Sequence, residues 1–160
     1  MDWASVISNP LLRDLPFKIE LNKWGQILMS PASNNHGNLQ FKVGVRIQES
    51  KKGKGEIITE CSIDTSQGVR VADVAWASDQ FIEKYGFETP YSRAPEICVE
   101  IVSPSNSKGE IEEKIELYLA KGACEVWIIS EDGTIRFFTY DGEIEESVEL
   151  THGERIYSKV

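Results

Sequence analysis

Two acidic residues interrupt runs that are otherwise built for burial. Glu100 lies inside Ile97–Val102 (ICVEIV), apolar on both faces, and Asp73 lies inside Val71–Trp76 (VADVAW), whose composition suits a buried strand. A carboxylate in such surroundings costs several kcal/mol unless it is paired, hydrogen-bonded or bound to a cation. A functional site is one explanation; a structural ion pair or a strand end open to solvent is another. If the two strands share a sheet and the side chains share a face, Asp73 and Glu100 make a hard-oxygen pocket. Such a pocket suits Mg²⁺ or Mn²⁺ and leaves coordination positions for water and phosphate.

Lys114 supplies a third element. Glu100 lies about 7 Å before the end of its strand at roughly 3.3 Å per residue. Lys114 lies about 6 Å into a helix that starts near Glu110, at roughly 1.5 Å per residue. A helix running back along the strand makes the two level. Lys114 follows Ile111 by three residues and precedes Tyr118 by four, so it borders the buried stripe, where an ammonium can stabilise charge on phosphate or orient a water. The competing reading is a surface lysine paired with Glu110 or Glu113. Glu20 alternates with Ile19 and Leu21, which reads as a solvent-facing hairpin position or as an additional site carboxylate. His36, near the start of a helix, is either a capping-region histidine or a phosphate or water contact.

These residues need elements to hold them. Phe17–Leu21 and Gln26–Met29 flank the turn-forming Asn22-Lys23-Trp24-Gly25 and predict a β-hairpin. Ser33 or Asn34 caps a helix reaching about Glu49, with Leu39, Val43, Arg46 and Ile47 at helical spacing. Strands are expected at Glu56–Cys61 and Val69–Trp76, and a short helix from Ser78-Asp79 to about Lys84. Then come strand Ile97–Val102, helix Glu110–Lys121 ending at Gly122, and strand Val126–Ile129. That strand, helix, strand order implies a βαβ crossover with two parallel strands. Thr134–Tyr140 and a Glu-rich ribbon around Gly142 complete the α/β or α+β pattern. The 160 residues carry no repeat and no long linker, so one domain over 1–160 is expected.

Composition excludes several classes. No apolar run is long enough for a membrane helix, and MDWASVISNP lacks a signal peptide's charged start and apolar stretch, so a cytoplasmic protein is expected. Cys61, Cys98 and Cys124 are unpaired in spacing and read as small core residues, and His36 and His152 are too far apart to suggest a zinc site. The net charge of -9 discourages polyanion binding, but residues 1–54 hold eight basic and four acidic residues. A nucleic-acid contact would therefore use this N-terminal third, with His36, Lys42 and Arg46 as candidate substrate-binding residues.

Three stretches, ADVAWAS (Ala72–Ser78), EICVEIVSPSNS (Glu96–Ser107) and EKIELYLAKGACEVWII (Glu113–Ile129), resemble the core of the Uma-type "putative restriction endonuclease" family. FKIELNKWGQILMSPASNNHG (Phe17–Gly37) is similar to the same family's opening hairpin and the helix start bearing a histidine. The resemblance implies a PD-(D/E)XK restriction-endonuclease-like core, a mixed central β-sheet flanked by helices. It further implies Asp73 and Glu100 as metal ligands for Mg²⁺ or Mn²⁺, Lys114 as the catalytic lysine and Glu20 as an auxiliary acid. Val102 stands where the wider superfamily has a strand lysine, and Ala72 stands where proline usually precedes the aspartate. The implied activity is metal-dependent hydrolysis of DNA phosphodiesters by a homodimer. The alternative is a non-catalytic nucleic-acid-binding or protein-interaction module that keeps the fold.

Overall fold

The computed structural model describes residues 1–150; residues 151–160, His152 among them, lie outside the described part. The predicted strand runs assemble into a mixed six-stranded sheet. Its strands, in both chain and spatial order, are β3 (Glu56–Thr65), β4 (Gly68–Ala77), β5 (Ile97–Val102), β6 (Glu125–Ser130), β7 (Ile135–Thr139) and β8 (Gly142–Ile144). β5 and β6 are parallel, as the crossover requires, and the other neighbours are antiparallel. A separate hairpin pairs β1 (Phe17–Leu21) with β2 (Ile27–Pro31).

Alternation along the strands divides the core. Val74, Trp76, Val99 and Trp127 pack with Leu39, Val43 and Ile47 of helix α2 (Asn34–Ser50) on one face. Ala75, Cys98, Val126 and Ile128 face the other way. There they meet Phe81 of α3 (Asp79–Tyr85) and Ile115 and Tyr118 of α4 (Lys108–Ala120). By the same parity Asp73 and Glu100 belong to the α4 face, beside that cluster.

The structure departs from the sequence expectations at particular points. β3 runs on to Thr65 because it pairs with β4 down to the Thr65↔Gly68 turn. Helix α4 starts at Lys108, since Ser107 and Glu110 form a reciprocal capping box. A six-residue helix, α1 (Trp3–Ser8), was not expected; Asp2 caps it, and Trp3 and Val6 pack with Leu21, Val69 and Val71. Cys61 and Cys98 are core residues as read, but Cys124 is exposed, because it falls in the connection between α4 and β6 rather than inside a strand.

Candidate active site

Asp73 and Glu100 meet because of register. The β4–β5 ladder ends at Val74↔Val99, and the next residues in that register are Asp73 and Glu100, so the carboxylates project from one face where the strands separate. Asp73 is turned out of the ladder on its other side too. Opposite it in β3, Glu60 has φ +52, and the Asp73 carbonyl accepts a 2.6 Å bond from the Gln40 side chain of α2 instead of a strand partner. A non-glycine residue in the left-handed region beside a site is a cost that regular pairing would have avoided.

The hairpin lies across this opening. Gly68 has φ +100, and a Cβ there would stand 2.3 Å from the Leu21 carbonyl, so only glycine permits the close approach. Arg70 of β4 donates to that same carbonyl at 2.8 Å, and the Val71 N–H donates to Glu20 Oε1 at 2.8 Å. β1 is thereby pinned with Lys18 and Glu20, two residues apart and so on one face, over the carboxylate pair.

The resulting charge cluster is compact. Lys18 Nζ lies 2.9 Å from Asp73 Oδ1 and 3.0 Å from Glu100 Oε2. Lys114 Nζ lies 3.1 Å from the same Glu100 oxygen and 3.0 Å from Glu20 Oε1. Each carboxylate's other oxygen is held by a neutral donor: the Ile101 N–H reaches Asp73 Oδ2 at 2.7 Å and the Tyr118 hydroxyl reaches Glu100 Oε1 at 2.6 Å. His36 Nε2 is 3.1 Å from Asp73 Oδ1. Its place follows from Ser33, which caps α2 by accepting from the His36 N–H.

Environment splits the two acids. Burial works against both charges. At Asp73 it is outweighed by Lys18 and His36, which hold the carboxyl well below its ordinary range. At Glu100 burial wins over Lys114 and Lys18 and pushes the carboxyl up. Lys18 in turn is desolvated, yet Glu100 and Asp73 raise its ammonium above the ordinary lysine value. Glu20 is held low by Lys114 and Lys18 against its own burial. Burial and Glu100 raise Tyr118 well above its ordinary value, keeping its hydroxyl a donor.

A cleft of about 350 Å³ opens onto the cluster between the end of β2, the Ser103–Asn106 turn and the first turns of α4, lined by Lys18, His36, Asp73, Glu100 and Lys114. Among the described residues no three His, Cys, Asp or Glu side chains converge as a preformed metal cage. The two oxygens that bracket Lys18 nonetheless fit a hard divalent ion, which commonly takes one or two protein carboxylates and completes its shell with water and phosphate.

The structure therefore brings Asp73, Glu100, Lys114 and Glu20 together, with His36 at the rim. Glu20 is buried rather than solvent-facing, and Lys114 pairs with Glu20 and Glu100 rather than with Glu110 or Glu113. Lys42 and Arg46 are not in the cleft lining; Lys42 points outward from α2. Of the expected basic N-terminal surface, two cations turn inward, Lys18 to the carboxylates and Lys51 onto the Trp76 ring at 3.8 Å. The residue sequence reasoning missed is Lys18. The signal was present: a strand that brings Glu20 to the site brings Lys18 with it.

Comparison with known proteins agrees with this architecture. A solved structure described as a "putative nuclease belonging to DUF820 from Anabaena variabilis ATCC 29413" superposes with a TM-score of 0.67 at 19% identity, over 79% of this chain and 74% of that one. At that identity the likeness is one of fold. No curated protein matches the chain. Among the described residues no helix is long and apolar enough to cross a membrane. The sequence model of the Uma2 family, described as "Putative restriction endonuclease", matches residues 11–159, and the chain belongs to that family.

Proposed function

We propose that this protein is a metal-dependent endonuclease that hydrolyses DNA phosphodiester bonds in the β4–β5–α4 cleft. The observation that carries the reading is the convergence of Asp73, Glu100 and Lys114, from three separate elements, on a cleft of about 350 Å³. Asp73 and Glu100 would hold Mg²⁺ or Mn²⁺, with the Ile101 N–H and the Tyr118 hydroxyl fixing the orientation of the two carboxylates. When bound, the ion supplies Lewis-acid polarisation of a phosphoryl oxygen and a water of lowered pKa. Lys114, oriented by Glu20, presents an ammonium to charge that develops on the phosphate. His36 at the rim is a hydrogen-bonding contact for a phosphate or the attacking water. A homodimer suits a substrate of two antiparallel strands.

One observation favours the second reading, a non-catalytic module that binds nucleic acid or protein. Lys18 already bridges the two carboxylates, so the site is electrostatically satisfied as it stands. Cleavage of plasmid and single-stranded DNA at low salt with Mg²⁺ or Mn²⁺ separates the two. Metal-dependent cutting by the native protein, abolished in a folded Asp73→Ala variant, supports the nuclease. Absence of cutting by native protein across substrates and metals selects the binding module.

A further inference from the structure

Lys18 occupies the gap that a bridging ion would need. Its nitrogen stands between Asp73 Oδ1 and Glu100 Oε2 at 2.9 and 3.0 Å, and only 10% of its side-chain surface is exposed. A divalent ion held by these two carboxylates would need the same space between them. Ammonium and ion cannot both fill that gap, and side by side they would repel. The local charge count agrees. Asp73, Glu100 and Glu20 face Lys18 and Lys114, with His36 beside Asp73. Without Lys18 the three carboxylates would face a single lysine, which leaves the pair short of positive charge.

The backbone under Lys18 is tied down by contacts that do not involve its side chain. β1 is anchored through Arg70 to the Leu21 carbonyl and through Glu20 to the Val71 N–H. The Lys18 side chain is a flexible four-carbon stem, and it lines the open cleft. Because the stem borders the cleft, its release from the carboxylates would need no change in the strand.

We propose that Lys18 is the resident cation of this site: it holds the Asp73–Glu100 pair in the metal-free protein, yields it when a divalent ion binds, and so sets the metal affinity. This rests on the nuclease reading above and adds a regulating residue to it. Metal-free protein stays assembled because the carboxylates are never unpartnered, and ion loading is coupled to release of an ammonium into the substrate cleft.

The test needs no DNA. Mn²⁺ titration of the full chain, followed by electron paramagnetic resonance, compares native protein with Lys18→Met and Lys18→Met/Asp73→Asn. If Lys18 holds the pair in about nine of ten molecules, its removal tightens Mn²⁺ binding about tenfold, and Asp73→Asn abolishes the gain. In parallel, native protein is acetylated with and without saturating Mg²⁺ and mapped by mass spectrometry, with exposed Lys52 as internal reference. Lys18 should be protected without Mg²⁺ and labelled with it, a result independent of how the variants fold. Equal Mn²⁺ affinity in native and Lys18→Met, or Lys18 labelling that ignores Mg²⁺, overturns the role of Lys18 and leaves the nuclease reading in place. Failure of both proteins to bind Mn²⁺ removes the two-carboxylate metal site itself, and the inference with it.

Discussion

Glu100 and Glu125 occupy neighbouring parallel strands and are both almost fully buried, yet they are solvated in opposite ways. Glu125 accepts from Trp127 Nε1 at 2.8 Å, the Ser147 hydroxyl at 2.6 Å, and the Val148 and Glu149 N–H groups at 2.6 and 2.9 Å. Every donor is neutral, and two belong to the backbone of the segment after β8, which Glu125 ties to the sheet. Glu100 has one neutral donor, Tyr118, and turns its other oxygen to two ammonium groups that line an open cleft. Burial of a carboxylate is therefore a poor guide to function. Fixed neutral donors close such a group, whereas cations facing a cleft would leave it exchangeable for metal or substrate.

Substitution at the two places should have opposite consequences. Asp73→Ala should reduce metal-dependent DNA cleavage on the order of 10³-fold, as loss of a central electrostatic group does, while circular dichroism shows the fold retained. Glu125→Ala should do the reverse. Stranding Trp127 Nε1 and two backbone N–H groups destabilises by about 3 kcal/mol or more in urea unfolding, with cleavage per folded molecule unchanged. A Glu125→Ala protein that stayed stable but stopped cutting would break the distinction between closed and exchangeable carboxylates.

Much of the exchangeable site was legible in the sequence because its members violate pattern. Asp73 and Glu100 interrupt apolar strands, and Lys114 borders a helical apolar stripe, so each could be singled out from its own neighbours. Their adjacency could not be read, since it depends on the β4–β5 register. Glu20 and Lys18 fit an ordinary alternating hairpin, and their burial comes from docking on β4 through Gly68 and Arg70, a tertiary event without a local signal. Glu125 escaped notice for a related reason: it opens its strand, where an acidic residue is unremarkable, and three of its four donors lie more than twenty residues away. Helix α1 was invisible because six residues carry too little periodicity, and its packing on Leu21, Val69 and Val71 decides it.

Tyr118→Phe sharpens the contrast by removing the one neutral donor that Glu100 has among the described residues. The hydroxyl holds Glu100 Oε1 at 2.6 Å and so fixes which oxygen faces the cleft. Calorimetric Mn²⁺ titration should show an affinity lower on the order of tenfold, as for other partners that orient a ligand. Loss of the hydrogen bond should lower stability by only about 1 kcal/mol. A variant with native Mn²⁺ affinity would mean that Glu100 is oriented by its cations alone.

A third carboxylate sets the lower limit of the comparison. Glu143 receives a two-pronged contact from Arg136, 2.8 Å at both prongs, in a pair about half exposed on the β7–β8 edge. Arg136 lowers the Glu143 carboxyl below its ordinary value despite slight desolvation. A group whose folded value is depressed contributes its stability above the unfolded value and loses it as pH falls through the folded one. Because water and salt screen the pair, Glu143→Gln should cost less than about 1 kcal/mol at neutral pH. That difference should shrink to nothing below the usual carboxylate range and diminish in high salt. It should leave both cleavage and Mn²⁺ affinity untouched, since neither residue borders the cleft. A deficit that persisted in acid would instead reflect lost packing on Phe138, whose ring lies 4.9 Å from the Arg136 guanidinium. Charge that water already solvates tunes stability slightly; only charge that the fold has desolvated, and left with cations that can move, has an affinity to give to a ligand.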